Sequence, residues 1–352
     1  MSALLHKNKD KRDILMWVPV AISDHVTADK PLGVSVGDQG LVLFRDKSSR
    51  ICVLEDRCPH RRVPLSLGKI IDGNLRCAYH GWTFEGHGGQ CVKIPNLAAS
   101  ERLSPKLRAD AFIPYEKNGF VYLLTASSST ERDVSVKLTP PDLLIMNPDL
   151  AGAQQQSGRA VISCSVDTYL RALLDGPHLL LSLGGVCITD FFLGDVMRKT
   201  HELQLDRTAI WSHKAKPHER KWGVSTLVMR TEVYQDQSSA RVQLLDVGER
   251  PLVNILLAVV AGKRNTVQIN WRCSWLKNYA AIAPWFVRWR ISGGHCPLQL
   301  NDKIDGSALA DLLPGPSVHL LKNDSLKVDV HKKKEPKRVC STPPTATEES
   351  RI

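Results

Sequence analysis

The sequence has no long apolar run. The longest, Leu252 to Ala261 (LVNILLAVVA), is too short to cross a bilayer as a helix and leads into Gly262, Lys263 and Arg264. No basic-then-apolar leader opens the chain, because MSALLHKNKDKRD is charged and lacks an apolar core; the cytoplasm is therefore the expected location. Nor does a glycine-rich dinucleotide fingerprint follow any strand. Gly37-Asp38-Gln39-Gly40 and Gly86-His87-Gly88-Gly89-Gln90 read as turns that open no helix, so no nicotinamide or flavin site is visible and electrons must come from a separate protein. Nucleic-acid-binding modules and internal repeats are absent as well, which argues against a nucleic-acid partner. The nine cysteines are odd in number and show no disulfide framework, as expected in a reducing compartment.

What is present suits two modest globular domains: 352 residues, 43% hydrophobic and 24% charged. The net charge of +11 is partly a cluster in the tail, Lys332, Lys333, Lys334, Lys337 and Arg338, which reads as a solvated terminus. The rest is diffuse and would favour an acidic electron donor.

The first part reads as β-structure. Leu41 to Phe44 and Ile51 to Leu54 are strand-like around a polar turn. Trp82 to Phe84 and Cys91 to Ile94 flank a glycine-rich turn, and Gly119 to Leu124 is a final strand. The Ser/Thr-rich stretch Ser127 to Val134 then marks a boundary. In the second part, Val166 to Asp175 has apolar residues at helical spacing and is stopped by Gly176-Pro177. Residues 241–244 and 266–271 alternate as strands of an antiparallel sheet. Tyr279 to Arg290 and Asp302 to Leu313 are helix candidates. The expected fold class is α+β: an antiparallel β domain over residues 10–126, a helix-plus-antiparallel-sheet domain over 135–321, and a basic tail over 322–352.

The chemistry lies in two short motifs. Cys58-Pro59-His60 is C-x-H, and Cys77-Ala78-Tyr79-His80 is C-x2-H. A Rieske [2Fe–2S] centre needs two thiolates on one iron and two imidazoles on the other, and two mixed loops supply that set. The competing possibility is a Cys2His2 zinc site. Zinc modules, however, usually draw both sulfurs from one loop, and no finger helix follows either motif. His87 lies outside the motif and reads as a loop residue.

Around these ligands, CPHRRVPLSLG and CAYHGWTFEGHGGQCVKIP resemble the Rieske domain of the Rieske non-haem iron oxygenases over about residues 16–125. The resemblance implies a second domain binding a mononuclear Fe(II) through two histidines and a carboxylate, the facial triad that leaves positions open for O2. It also implies a homotrimer, a ferredoxin or flavin reductase as electron donor, and a small organic substrate that is hydroxylated or demethylated. The family carries D-x2-H-x4-H on a helix. Asp175 and His178 match its first two positions, Asp175 as the carboxylate that bridges His80 of one chain to His178 of the next. Leu183 stands where the second histidine belongs, and leucine cannot bind iron. Asp302 matches the late carboxylate, with Asp305 behind it. Three explanations of Leu183 stay open: a replacement ligand such as His201, His213 or His218; a lost iron site in an electron-transfer or inactive relative; or a disturbed reading frame over residues 179–200.

Overall fold

The protein's structure, a computed structural model, describes residues 14–97, 102–127, 139–145, 147–150, 152–199, 202–211, 226–234, 238–277, 279–284 and 295–304, with single positions 288 and 309. The expected boundary near residue 130, part of the late helix candidate Tyr279 to Arg290, most of Asp302 to Leu313, and the basic tail lie outside the described residues.

Eleven strands form the first part. They are β1 (Ile14–Ile22), β2 (Leu32–Val36), β3 (Gln39–Arg45), β4 (Ile51–Glu55), β5 (Lys69–Ile71) and β6 (Asn74–Arg76). Then come β7 (Thr83–Phe84), β8 (Cys91–Lys93), β9 (Ala111–Phe112), β10 (Pro114–Lys117) and β11 (Phe120–Ser127). They make three antiparallel sheets, ordered β1-β11-β10, β2-β3-β4-β9 and β5-β6-β7-β8. Phe44, Leu54, Leu65, Leu75 and Phe84 are buried between the two four-stranded sheets, in one cluster with Cys52, Cys58, Cys77 and Cys91.

The β3–β4 hairpin turns on Asp46. Its Oδ1 accepts from the Ser48 and Arg50 N–H groups at 2.8 and 2.9 Å, and its Oδ2 lies 3.0 Å from both Arg50 Nε and His87 Nε2. His87 thus ties the glycine-rich hairpin to this turn. Asp246 builds the same turn between two later strands, with Gly248, Arg250 and the Arg250 guanidinium as donors. Burial opposes the Asp46 charge, but the Arg50 N–H, His87, the Arg50 guanidinium and the Ser48 N–H hold its carboxyl down to about 2. A depressed folded pKa contributes stability that is present above the unfolded value of 3.8 and lost as pH falls towards about 2. Asp46→Asn should therefore flatten the melting temperature's dependence on pH between those values; an unchanged slope would show the turn to be uncoupled from stability.

Gly86, at the hairpin's start, sits against the core: a Cβ there would fall 2.2 Å from Cys52 Sγ and 2.5 Å from Cys52 Cβ. Gly86→Ala should cost about 1–3 kcal/mol by overpacking, measurable by denaturant unfolding followed by tryptophan fluorescence.

The second part is one antiparallel sheet. Its strands are β12 (Gln154–Ile162), β13 (Leu181–Leu183), β14 (Val186–Phe192), β15 (Met197–Lys199) and β16 (Glu202–Trp211). They continue with β17 (Thr226–Tyr234), β18 (Ser239–Leu245), β19 (Pro251–Ala261), β20 (Val267–Trp275) and β21 (Leu298–Leu300). Their order is β12-β20-β19-β18-β17-β16-β14-β13-β21, with β15 beside β16. Three α-helices are described: α1 (Val166–Asp175), α2 (Pro177–Leu180) and α3 (Tyr279–Ile282). Ser165 caps α1, its hydroxyl accepting from the Thr168 N–H at 3.1 Å, as Ser does at helix N-termini.

The apolar run Leu252 to Ala261 is β19, and all of it but Ala261 is buried. Leu256 and Ala258 pack on Ile22, Phe120 and Tyr122 of the first part, while α1 packs on β17 and β19. Side chains alternate along a strand, so a strand covered on both faces reads as continuous apolar sequence. Polar side chains on the neighbouring strand β20 fix the contact with the first part. Asn270 Nδ2 donates to the Val20 carbonyl at 3.1 Å, Gln268 Nε2 to Ser35 at 3.0 Å and Arg272 to Asn118 at 2.9 Å.

Candidate metal centre

The two loops carrying the motif residues are built alike. Between β4 and β5, the Cys58 N–H donates to the Val63 carbonyl (2.9 Å) and the Arg62 N–H donates to the Cys58 carbonyl (2.8 Å). Between β6 and β7, the Cys77 N–H donates to the Trp82 carbonyl (2.8 Å) and the Gly81 N–H to the Cys77 carbonyl (3.2 Å). Each loop turns at the fourth residue after its cysteine, and both turn residues are left-handed, with φ of 61° at Arg62 and 72° at Gly81. Glycine adopts that region freely, whereas Arg62 is held there against its preference. The turns point each sulfur inward and leave each histidine at the rim.

Cys58 and Cys77 are 2% and 3% exposed. Their thiols contact each other, and the Cys58 sulfur accepts from the His60 and Arg61 N–H groups. Burial, with Cys77 alongside, nevertheless pushes the Cys58 thiol up to about 11. Two adjacent buried thiols ionise readily only with a cation between them, and the thiolate is the form that binds metal.

His60 and His80 are exposed, with their Nδ1 atoms 3.0 Å apart and ring centroids 4.7 Å apart. Two nitrogens on one metal at about 2.1 Å with near-tetrahedral angles stand roughly 3.4 Å apart, so these rings are set to share an ion. Desolvation, then the charges of His80 and Arg61, lowers the His60 pKa, favouring the neutral imidazole a metal requires. Trp82 lies flat on His60 (4.6 Å between centroids, 3° between planes), and Tyr79 stacks on His80 at 3.9 Å.

The donor set is thus two sulfurs buried together and two nitrogens together at the rim, which fits a [2Fe–2S] cluster with cysteine on the inner iron and histidine on the outer. It does not fit one zinc ion. Among the described residues, the only group of three or more His, Cys, Asp or Glu gathered within 4.8 Å is Asp46, Cys52 and His87, whose carboxylate is already engaged by Arg50 and His87.

The family model for the Rieske [2Fe–2S] domain matches residues 16–108. These residues are a Rieske domain. Protein TIC 55 of Pisum sativum, a chloroplastic protein, is 51% identical over 87 residues, 25% of this chain and 16% of that one. Pheophorbide a oxygenase of Oryza sativa subsp. japonica is 35% identical over 134 residues, 36% of this chain and 25% of that one. The chain thus spans a quarter or less of the length of these curated relatives. Dicamba monooxygenase bound to dicamba shares the fold beyond the Rieske domain, with a TM-score of 0.55 at 18% identity over 75% of this chain and 78% of that one. Over residues 16–108 the chain is thus similar to Rieske oxygenases, and its fold beyond them is like that of dicamba monooxygenase.

Neither Trp82 nor Tyr79 stands out in the sequence as part of the site, although each lies within two residues of His80. An aromatic stack contributes about 0.5–1.5 kcal/mol beyond its buried area. Trp82→Ala should therefore loosen His60, broadening the reduced Rieske EPR signal and speeding loss of visible absorbance on storage. A signal and lifetime equal to wild type would deny Trp82 a positioning role.

The second candidate centre is less complete than the Rieske domain. α1 ends at Asp175, which is half-buried, and the buried Arg207 guanidinium donates to the Leu174 carbonyl and, at 2.8 Å, to that of Asp175. Arg207 also lies over the Phe192 ring, 4.3 Å from its centroid. A cation at a helix C-terminus stabilises the exposed carbonyls, so Arg207 fixes the place of Asp175. His178 follows on α2, exposed, with Nδ1 3.8 Å from Asp190 Oδ1. Asp302 is exposed just beyond β21. Asn301 N and Nδ2 donate to the Leu180 and Leu179 carbonyls at 2.8 and 3.0 Å, which places the Asp302 segment beside that of His178.

The resemblance implies that Leu183 follows on the same helix. Instead α2 stops at Leu180, and Leu183 is a buried β13 residue paired with Val186 and Leu298. Gly176-Pro177 breaks the helix, and β-pairing takes over. His201, His213, His218 and Asp305 lie outside the described residues, so among the described residues the triad is incomplete. A cavity of about 850 Å³ lined by Trp211, Leu227, Leu252, Leu276 and Ile282 contains none of Asp175, His178 and Asp302.

Proposed function

We propose that this chain is a Rieske-type iron–sulfur oxidoreductase that hydroxylates or demethylates a small organic substrate in an O2-dependent reaction, fed by a separate ferredoxin or flavin reductase. The observation that carries the reading is the pair of matched loops, with Cys58 and Cys77 buried and the His60–His80 edge exposed. A bound cluster supplies one-electron transfer at a potential set by its two imidazoles. This chain's residues do the rest. The core around Phe44 and Phe84 keeps water from the sulfurs, the stacked rings hold the imidazoles, and the exposed edge lets a donor come within reach. Arg57, Arg61 and Arg62, exposed on the same loop, suit an acidic donor.

In this reading residues 10–126, 135–321 and 322–352 are a Rieske domain, a catalytic-type domain and a basic tail. The resemblance in the motif residues implies a homotrimer in which Asp175 carries the path from His80 of one chain to His178 of the next, with His178 and Asp302 as iron ligands. No described helix is long and apolar enough to cross a membrane. Free thiols suit a reducing compartment such as the cytoplasm, although the TIC 55 relatives are chloroplastic proteins.

A second reading, an electron-transfer or inactive relative with a live cluster and no functional mononuclear iron, is favoured by the burial of Leu183 on β13. Iron analysis with EPR separates them: about three irons per chain and substrate-dependent O2 uptake support the oxygenase, about two and no uptake the carrier. A colourless protein with stoichiometric zinc would end both.

A further inference from the structure

Away from the cluster ligands, a thiol, an imidazole and a carboxylate of the Rieske domain meet. Cys52 stands near the start of β4, whose other end leads to Cys58, and His87 stands in the hairpin that follows β7. The Cys52 Sγ, a carboxylate oxygen of Asp46 and a ring nitrogen of His87 all lie within 4.8 Å of one another. His87 Nε2 is 3.0 Å from Asp46 Oδ2, and the Cys52 thiol donates to the Arg50 carbonyl at 3.7 Å. Gly86 makes this meeting possible. Its backbone passes so close to the thiol that a Cβ would fall 2.2 Å from Cys52 Sγ, and the next residue, His87, is brought over a buried sulfur while its own ring stays exposed.

We propose that Asp46, Cys52 and His87 bind a zinc-type divalent cation, with water in the fourth position. With zinc about 2.3 Å from sulfur and about 2.1 Å from nitrogen and oxygen, tetrahedral donors stand roughly 3.4 to 3.6 Å apart. The His87–Asp46 pair therefore has to open by only about 0.4 Å, and the sulfur already stands within 4.8 Å of both. Sulfur and imidazole beside a single carboxylate select zinc or cadmium over magnesium or calcium, which take oxygen ligands. The ion replaces the hydrogen bond between His87 and Asp46 and leaves both Asp46 Oδ1 bonds, so the turn keeps its form. Asp46 Oδ2 also keeps Arg50, because an ionised carboxylate offers about four lone-pair sites. On binding, the Cys52 thiol gives its proton to solvent, and His87 carries its single ring proton on Nδ1. The local charge then balances. Asp46, the Cys52 thiolate and Glu85, whose carboxylate accepts the His87 N–H at 2.7 Å, are three negative groups against Arg50 and a doubly charged ion.

The ion would clip the β3–β4 turn to the β7–β8 hairpin. These turns belong to the two four-stranded sheets that enclose the core around Cys58 and Cys77. An ion held only by the folded chain stabilises that chain. The proposal rests on the Rieske-domain fold and is independent of the oxygenase reading.

The test is titration of the full-length, cluster-loaded chain with cadmium and with zinc. One cadmium per chain should bring up thiolate-to-cadmium absorption in the ultraviolet while the visible cluster spectrum holds constant, and zinc should compete that band away. His87→Ala alters an exposed side chain and should weaken both metals at least tenfold, since even damage beyond the ligands of a metal costs about that much. Cys52→Ser should abolish the band. His87→Cys adds a second thiolate at the exposed position and should strengthen it, which keeps the test decisive should Cys52→Ser fail to fold. Zinc should raise the melting temperature of wild type and leave that of His87→Ala unchanged. Cadmium bound equally well by His87→Ala, a band that persists in folded Cys52→Ser, or a band no stronger in His87→Cys would each overturn the proposal. So would loss of the visible spectrum in step with cadmium uptake, which would place the ion on Cys58 and Cys77.

Discussion

Replacing His80 with cysteine should lower the reduction potential by roughly 100 to 350 mV. Exchanging both imidazoles for thiolates separates the Rieske range, about −150 to +300 mV, from about −400 mV for all-cysteine clusters, and one exchange takes about half of that step. The geometry makes the substitution feasible. His80 is exposed, so a smaller side chain there opens no core cavity, and the loop is set by the Cys77–Trp82 and Gly81–Cys77 backbone bonds, which the change leaves alone. The added negative charge sits at the rim, where Arg61 and Arg62 soften it, so the shift falls towards the lower end of the range. An EPR-monitored redox titration reads the shift. A potential that stays put or rises would mean that His80 is not a ligand. Cys77→Ser is the companion variant: it removes a thiolate from a buried position and should give protein without the visible spectrum.

The cluster could be found from sequence because its chemistry is local. Two thiols and two imidazoles within 23 positions suffice to name the donor set, and hairpins with polar turns predict the strands that hold it. What the sequence hid depends on contacts across the fold. The matched turns at Arg62 and Gly81 share no residue type, so nothing in their letters shows that the loops are alike. Leu252 to Ala261 reads as a run of uncertain role until α1 and β1 are seen to cover its two faces. Helix α1 was legible over its full length, Val166–Asp175, because its apolar spacing and its Gly-Pro stop agree. The segment after it misled for the same reason that α1 was clear. Once Gly176-Pro177 ends the helix, a helical spacing counted through Leu183 has no structure to rest on.

As isolated, the protein should hold about two irons per chain, those of the cluster, and further Fe(II) should bind only weakly and be lost on desalting. His178 and Asp302 stand on neighbouring segments, but no third described side chain joins them, and even damage beyond the ligands typically weakens metal binding about ten- to a hundredfold. Leu183→His should not restore the site. Its side chain points into the sheet's packed face, 3% exposed and opposite Leu298, so an imidazole there loses leucine packing and buries a polar ring. The variant should lose about 2–4 kcal/mol of stability with no gain in iron. Anaerobic Fe(II) titration with metal analysis after gel filtration, alongside thermal melts, measures both quantities. A stable Leu183→His protein with about three irons per chain would show that this segment can be helical in the folded protein. Tight binding of a third iron by the unmodified chain would instead place a ligand at His201, His213 or His218. Alanine at His201 is then the first variant to make, and retained iron would move the search to the other two.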